Sequence, residues 1–139
     1  MSSESASKLA FVTGGSRGLG YEVARGLART GISSVLIAKD ADRLENAAKQ
    51  LRAEFPGITF EISSCDLEDQ VRARKTAEDL LGKYGAPFAL VLAHGVMSEK
   101  MSKTLRTTEA EWRRVMAINL DSVFTLVNVL GAPMAEARD

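Results

Sequence analysis

Short apolar runs alternate along this chain with longer segments in which apolar residues recur every three or four positions. The short runs predict four buried strands, at residues 9–13, 35–38, 59–63 and 88–93. The longer segments predict helices at residues 21–30, 41–55 and 68–84, and a fourth from residue 108 toward residue 134. Strands that alternate with helices are typical of an α/β fold with a parallel sheet.

Short polar signals mark where these helices begin and end. Asp40 is a predicted N-cap for the second helix. Thr108 and Glu111 have the spacing of a capping box, which predicts the start of the fourth helix. Gly131 and Pro133 allow a break near the end of that helix.

The turn between the first strand and the first helix carries the strongest chemical signal. Residues 13–20 read Thr-Gly-Gly-Ser-Arg-Gly-Leu-Gly. Gly14 allows a tight turn, Gly18 lets a ligand approach the backbone, and Gly20 lets the helix pack close to the strand. Free backbone N–H groups at a helix N-terminus favour an anionic pyrophosphate, so we predict a phosphate-binding turn here.

The spacing Thr-Gly-x-x-x-Gly-x-Gly resembles the cofactor turn of the short-chain dehydrogenase/reductase family. Three later segments agree in order and spacing. Residues 65–67, Cys-Asp-Leu, resemble the family's adenine-contacting Asp-Leu or Asp-Val pair. Residues 92–95, Leu-Ala-His-Gly, stand where the family usually has Asn-Asn-Ala-Gly, and residues 112–124 resemble the helix that carries an active-site Asn.

The resemblance covers residues 8–134 and implies a Rossmann-like, doubly wound parallel sheet. That fold uses the strand order 3-2-1-4-5-6, so four strands predict the order 3-2-1-4 and a fold truncated after about four βα units. Residues 8–139 are expected to form one incomplete NAD(P)-binding domain, preceded by a disordered tail at residues 1–7.

The resemblance also implies an NAD(P)(H)-dependent oxidoreductase that interconverts a carbonyl and an alcohol by hydride transfer. Asn119 is the catalytic residue it implies, because in the family this Asn kinks its helix and holds a water that connects to a catalytic Lys. The alternative for Asn119 is a polar residue at a helix bend. The candidate cofactor-binding residues are Thr13, Gly14, Ser16, Arg17, Gly18, Leu19, Gly20, Lys39, Asp66, Leu67, Ala93 and Gly95.

The end of the second strand bears on which cofactor is bound. An NAD site places a carboxylate there for the ribose 2′-hydroxyl, whereas an NADP site supplies a cation for the 2′-phosphate. Here the strand ends at Ala38, Lys39 follows, and Arg17 lies in the glycine turn, which together favour NADP(H). NAD(H) stays possible through Asp40, although we assign Asp40 to the helix cap.

Several of these residues have a structural alternative. Asp66 is expected to contact adenine or, alternatively, to cap the third helix, and Gly95 makes room for the nicotinamide ribose or is a plain turn glycine. Thr13 is expected to tie the glycine turn to a neighbouring strand. His94 departs from the family pattern and is interpreted as a packed or surface residue rather than a catalyst. Cys65 is expected to be a buried structural thiol, and core or interface positions are expected at Trp112, Val115, Met116 and Ile118.

The family's catalytic Ser and Tyr-x-x-x-Lys are missing from this sequence. Tyr21 is followed four residues later by Arg25, and Tyr84 by Phe88. Because no tyrosine acid/base is in place, we predict that this chain alone is not a competent dehydrogenase. It then represents either the first part of an interrupted oxidoreductase or, as the alternative, a genuine short protein that binds nucleotide or a partner without catalysis.

Composition narrows the function classes. Eighteen Lys and Arg balance eighteen Asp and Glu, which argues against nucleic acid as a partner. One Cys and one His argue against an internal disulfide and a zinc site. No apolar run is expected to approach the ~20 residues of a membrane span, and the tail lacks a secretion signal. Composition therefore favours a cytoplasmic location, while the family resemblance implies a small carbonyl or alcohol substrate and, for a full-length form, a homo-oligomer.

Overall fold

The structure is a computed structural model that describes residues 7–99 and 103–138. Six of the residues in the predicted disordered tail, 1–6, lie outside the described residues. The elements in chain order are β1 (Leu9–Thr13), α1 (Gly18–Arg29), β2 (Ser33–Ala38), α2 (Ala41–Glu54), β3 (Phe60–Ser64), α3 (Gln70–Tyr84), β4 (Ala89–Leu92), a 3₁₀ turn (Thr104–Arg106), α4 (Glu109–Met116), a π turn (Ala117–Asp121) and α5 (Ser122–Glu136).

The four strands form one parallel sheet in the order β3-β2-β1-β4, which confirms the predicted α/β, Rossmann-like fold. The register places Phe11 of β1 opposite Val35 of β2 and opposite Leu90 of β4. Since parallel strands need a crossover between neighbours, each strand is followed by a helical connection.

Period-two alternation along the strands divides the core between the two faces of the sheet. Ala10, Val12 and Leu36 point to one face, where they pack with buried residues of α1 and α2. Phe11, Val35 and Ile37 belong to the other core cluster, which contains buried residues of α3 and α5. The helices therefore cover both faces, and the site forms at the edge where the strands end.

The prediction for the last helix was wrong in one respect. It does not break at Gly131 and Pro133, because α5 continues through both residues to Glu136. Leu126 and Leu130 of α5 are buried in the core, so tertiary packing of this face stabilises the helix despite two unfavourable residues.

Helix capping follows the sequence in two cases and corrects it in a third. The Asp40 side chain accepts a hydrogen bond from Arg43 N–H at the start of α2, and Thr108 accepts from Glu111 N–H at the start of α4. The proposed alternative for Asp66, a cap for α3, was wrong. Asp69 caps that helix by accepting from Arg72 N–H, because α3 begins two residues later than predicted.

The helical stretch 109–136 is apolar, and most of it is not buried by the rest of the described chain. By length and composition it could cross a membrane: its most apolar 18-residue window has a mean hydropathy of 1.6 and is 22% buried. The expectation that no stretch approaches a membrane span was therefore too strong, although a core helix of a soluble protein passes the same test. Leu120 (55% exposed), Phe124 (68%) and Val127 (48%) are exposed on this stretch, and Trp112, expected in a core or an interface, is 59% exposed.

Candidate functional site

The turn at the end of β1 requires glycine for two different reasons, backbone conformation and close packing. Gly14 and Gly18 have φ values of 64° and 59°, in the region where a side chain is strained. A Cβ on Gly14 would lie 2.7 Å from the Ala93 carbonyl oxygen, and one on Gly20 would overlap the Gly14 carbonyl. These contacts bring the start of α1 directly against the ends of β1 and β4.

The N-terminus of α1 differs from those of α2, α3 and α4 in how its N–H groups are satisfied. Arg17, at the N-cap position, makes no capping side-chain hydrogen bond within the described part of the chain, and the first turn of α1 carries no acidic residue. Asp40, Asp69 and Thr108 cap the other three helices. The N–H groups and the positive end of the α1 dipole are thus available to an anion.

An open cleft of ≈ 790 Å³ lies over this turn, at the carboxyl ends of the strands. That is the edge where ligands bind in open α/β sheets. Nine of the twelve predicted cofactor-binding residues line the cleft: Gly14, Ser16, Arg17, Gly18, Lys39, Asp66, Leu67, Ala93 and Gly95. Of the other three, Thr13 is fully buried, Gly20 lies beneath the turn against Gly14, and Leu19 is 72% exposed.

Charged side chains of both signs gather where β2 and β3 end. Lys39 Nζ lies 3.1 Å from Asp66 Oδ2, and Arg43 Nε lies 3.5 Å from Asp40 Oδ2. Burial raises the pKa of Asp66, but a hydrogen bond from Glu68 N–H and the nearby Lys39 outweigh it, so the Asp66 pKa lies below its ordinary value. Asp66 is therefore an anion that already holds one of the cleft's cations.

Asn119 lies in the π turn and faces the loop that follows β4. Its Nδ2 donates to the Val96 carbonyl and its Oδ1 accepts from Val96 N–H, both at 2.8 Å. Its Oδ1 also lies 3.5 Å from where a Cβ on Gly95 would stand. The amide thus pairs with the backbone of Val96 in the manner of a strand, and it fixes the loop after β4 against the π turn.

His94 is half-buried and hydrogen-bonded on both ring nitrogens. Nδ1 lies 2.6 Å from Thr13 Oγ1, and Nε2 lies 2.6 Å from Ser122 Oγ and 3.1 Å from the Ile118 carbonyl oxygen. Burial lowers the pKa of His94, partly offset by the Ile118 carbonyl. Thr13 Oγ1 also lies 3.3 Å from the Val91 carbonyl oxygen of β4, within hydrogen-bond reach, as expected for a residue that ties the turn to a neighbouring strand.

Cys65 is buried, as expected, beside the cleft at the end of β3. Burial raises the pKa of its thiol, which keeps it protonated and unreactive.

Seven residues that were not among the candidate cofactor-binding residues also line the cleft: Ala38, Asp40, Arg43, Cys65, His94, Val96 and Ile118. Arg43 had a usable signal, because it follows the Asp40 cap by three residues and so lies in the first turn of α2. Val96 and Ile118 had none, since they reach the cleft through the loop after β4 and the π turn.

Comparison with known proteins identifies the family that shares this sequence and fold. The family model described as short chain dehydrogenase matches residues 8–139. Galactitol 2-dehydrogenase (L-tagatose-forming) of Cereibacter sphaeroides is 32% identical over 126 residues, which are 90% of this chain and 46% of that protein.

Solved structures give the same result. L-Sorbose reductase from Gluconobacter frateurii, complexed with NADPH and L-sorbose, superposes with a TM-score of 0.85 at 25% identity, over 95% of this chain and 49% of that one. A metagenomic short-chain oxidoreductase in complex with NADP superposes with a TM-score of 0.86 at 30% identity, over 94% and 57%. The chain spans about half the length of the curated relatives it matches. On its sequence and its fold, this chain belongs to the short-chain dehydrogenase/reductase family of oxidoreductases.

Proposed function

We propose that the cleft binds the adenine, ribose and pyrophosphate of a nicotinamide dinucleotide. The uncapped N-terminus of α1 at the cleft floor carries this proposal, because its N–H groups and dipole favour a phosphate. Gly14, Ser16, Arg17 and Gly18 provide the cradle, and a side chain in place of Gly18 would stand in the space that a phosphate needs.

The other cleft residues are proposed to hold the two ends of the cofactor. Asp66 and Leu67, at the end of β3, are assigned to the adenine. Ala93 and Gly95, after β4, are assigned to the nicotinamide ribose. Thr13, Leu19 and Gly20 do not line the cleft, so their contribution is to shape the turn and the start of α1.

NADP(H) is the proposed cofactor, with NAD(H) as the alternative. Arg17, Lys39 and Arg43 all line the cleft and offer cations for a 2′-phosphate. Asp40, the residue that would serve an NAD ribose, is engaged by the N–H and the guanidinium of Arg43. Both similar solved structures named above were obtained with NADPH or NADP.

This chain matches about half the length of the family's enzymes. The reaction proposed for the complete enzyme is the interconversion of a small carbonyl and an alcohol. The cofactor supplies the hydride when it is bound. This chain's residues bind and orient the dinucleotide, and Asn119 fixes the loop after β4 against the π turn. The names of the similar proteins mention a sugar alcohol, a sugar and 3-oxoacyl-[acyl-carrier-protein], and the substrate of this chain stays unassigned. A cytoplasmic location and a homo-oligomeric full-length form are part of the same proposal.

Binding without turnover is the expected behaviour of the 139-residue chain. Its sequence has no Tyr-x-x-x-Lys to move a proton to or from the substrate oxygen. We expect NADPH to bind, and we expect no NADPH oxidation above background with sorbose or a 3-oxoacyl thioester. Turnover by the pure chain would contradict this and would show that another group moves the proton. The alternative function, a non-catalytic nucleotide-binding or partner-binding protein, predicts the same binding and the same lack of turnover.

A pair of glycine variants tests the site itself. Gly18→Ala and Gly31→Ala both place a side chain at positive φ, and no described atom lies within 4 Å of either new Cβ. Both should lose about 1 kcal/mol of folding stability. Only Gly18→Ala crowds the cleft, so it should weaken NADPH binding at least about tenfold more than Gly31→Ala, as measured by NADPH fluorescence titration. Equal affinities for the two variants would remove the glycine turn from the cofactor site.

A further inference from the structure

The imidazole of His94 joins three elements that are distant in sequence. Nδ1 contacts Thr13, the last residue of β1, at 2.6 Å. Nε2 contacts Ser122, the first residue of α5, at 2.6 Å. His94 itself follows β4. We call this set of contacts the His94 bridge; both hydroxyl-bearing partners, Thr13 and Ser122, are fully buried.

One end of the bridge is the Ile118 carbonyl, which the π turn deprives of its usual α-helical hydrogen bond. In an α-helix, Ser122 N–H would donate to the Ile118 carbonyl four residues earlier. Here Ser122 N–H donates to Ala117 O instead. The Ile118 carbonyl accepts from Ser122 Oγ at 2.6 Å and is contacted by His94 Nε2 at 3.1 Å. The histidine thus supplies part of the hydrogen bonding that stabilises the π turn.

The partner set selects one form of the ring. With the proton on Nε2, the ring donates toward Ser122 Oγ and Ile118 O, and the Ser122 hydroxyl donates to Ile118 O. The one Thr13 hydroxyl proton is then donated to Nδ1 at 2.6 Å and not to the more distant Val91 carbonyl at 3.3 Å. With the proton on Nδ1 instead, the Nε2 lone pair would face the Ile118 carbonyl oxygen, which is repulsive. The lowered pKa of this half-buried ring agrees with a neutral imidazole.

Each end of the bridge lies beside a predicted site residue. Thr13 precedes Gly14, whose backbone packs so closely on residues 93 and 94 that a Cβ would lie 3.0 Å from His94 Cα. Ile118 precedes Asn119, whose amide pairs with Val96. Movement of the ring would therefore displace the glycine turn and the π turn relative to one another.

We propose that His94 is a positioning residue that couples the glycine turn to the π turn carrying Asn119, and so holds the floor of the cleft in shape for the cofactor. The short side chain that the family resemblance leads one to expect at this position, Ala, would reach neither Thr13 nor Ser122. The consequence for cofactor affinity rests on the proposed function, whereas the coupling of the two turns does not.

The first test observes the ring directly. Because His94 is the chain's one histidine, ¹⁵N–¹H correlation of the imidazole in the apo protein reports this ring alone. We expect the neutral Nε2–H tautomer at pH 7.5. A ring found mainly as the Nδ1–H tautomer, as the cation, or averaging freely between tautomers would overturn the bridge.

The second test compares one variant that removes the whole bridge with two variants that each retain one half of it. His94→Ala should speed amide hydrogen exchange at Asp121 and Ser122 and weaken NADPH binding, each about three- to tenfold. His94→Gln keeps a donor near the Nε2 position and should restore most of the exchange protection. His94→Asn keeps only the Thr13 side and should not. Ser33→Ala, which removes another side-chain hydrogen bond at the opposite end of the sheet, is the control.

The outcomes separate the two proposals. If exchange in the π turn is unchanged in His94→Ala, the coupling is wrong. If exchange changes but the NADPH affinity of a binding-competent protein does not, the positioning role is wrong. If the unmodified chain binds no NADPH, the proposed function fails, and the tautomer and exchange measurements still decide the coupling. Should His94→Ala not fold, the Gln and Asn variants decide it in the same way.

Discussion

Among single residues, Lys39 is a cation of the cleft that already forms an ion pair within the chain. Its Nζ lies 3.1 Å from Asp66 Oδ2, and the Lys39 side chain is 74% exposed. An exposed pair of this kind contributes little to stability, so a doubly charged 2′-phosphate can compete with the carboxylate for the ammonium group. Because this ion pair stabilises the fold so little, we assign Lys39 a role in selecting the cofactor.

Lys39→Ala should weaken NADPH binding about tenfold and leave NADH binding within about twofold, because only NADPH carries the 2′-phosphate. Titration of both cofactors by fluorescence measures the ratio. Lys75→Ala is a matched control, since Lys75 is similarly exposed and also lies 3.1 Å from an aspartate, on α3. If Lys39→Ala weakened both cofactors equally, Lys39 would not discriminate between them.

At the scale of elements, the helices divide into those that are capped and the one that opens on the cleft. Asp40, Asp69 and Thr108 satisfy N–H groups of α2, α3 and α4, while the start of α1 lacks such a cap among the described residues. A side-chain cap on α1 would occupy the N–H groups that a phosphate needs. The difference in capping thus separates helices that stabilise the fold from the helix proposed to bind.

Asp69→Ala should lower the free energy of unfolding by about 1 kcal/mol, because the Arg72 N–H loses its acceptor at the start of α3. Urea unfolding followed by circular dichroism measures the change. Asp79→Ala, which removes an exposed carboxylate later in the same helix, should stay within about 0.5 kcal/mol of the unmodified chain. An equal loss in both variants would mean that helix charge, rather than the cap, is responsible.

At the scale of the whole molecule, one face of the apolar helix α5 and the π turn before it is left exposed by the described part of the chain. Leu120, Phe124 and Val127 recur at helical spacing and are exposed, while Leu126 and Leu130 on the same helix are buried in the core. Exposed apolar patches of this kind mark interaction surfaces or promote aggregation. The surface supports the proposal that a full-length form is a homo-oligomer.

Phe124→Glu should reduce self-association of the chain, because it places a charge in the middle of this apolar surface. Sedimentation velocity over a range of concentrations measures it. Val71→Glu is the control, since Val71 is even more exposed but lies on α3. If the two variants sediment alike, this helix face does not mediate association.

The sequence by itself determined the alternation of strands and helices, the glycine turn, and the caps at Asp40 and Thr108. These features depend on apolar periodicity, allowed φ values and hydrogen bonds between residues three positions apart, all of which are local. It also placed nine of its twelve candidate residues on the cleft, because the ends of parallel strands necessarily meet at one edge of a sheet.

Only the tertiary structure decided the remaining contacts. His94 meets Thr13 across 81 positions of sequence and Ser122 across 28, and Lys39 meets Asp66 across the gap between two strands. The π turn around Asn119 is stabilised in part by Gln70, which donates to the Ala117 carbonyl from the start of α3. Such contacts exist only after the strands take the order 3-2-1-4, because that order makes β4 a neighbour of β1 and β3 a neighbour of β2.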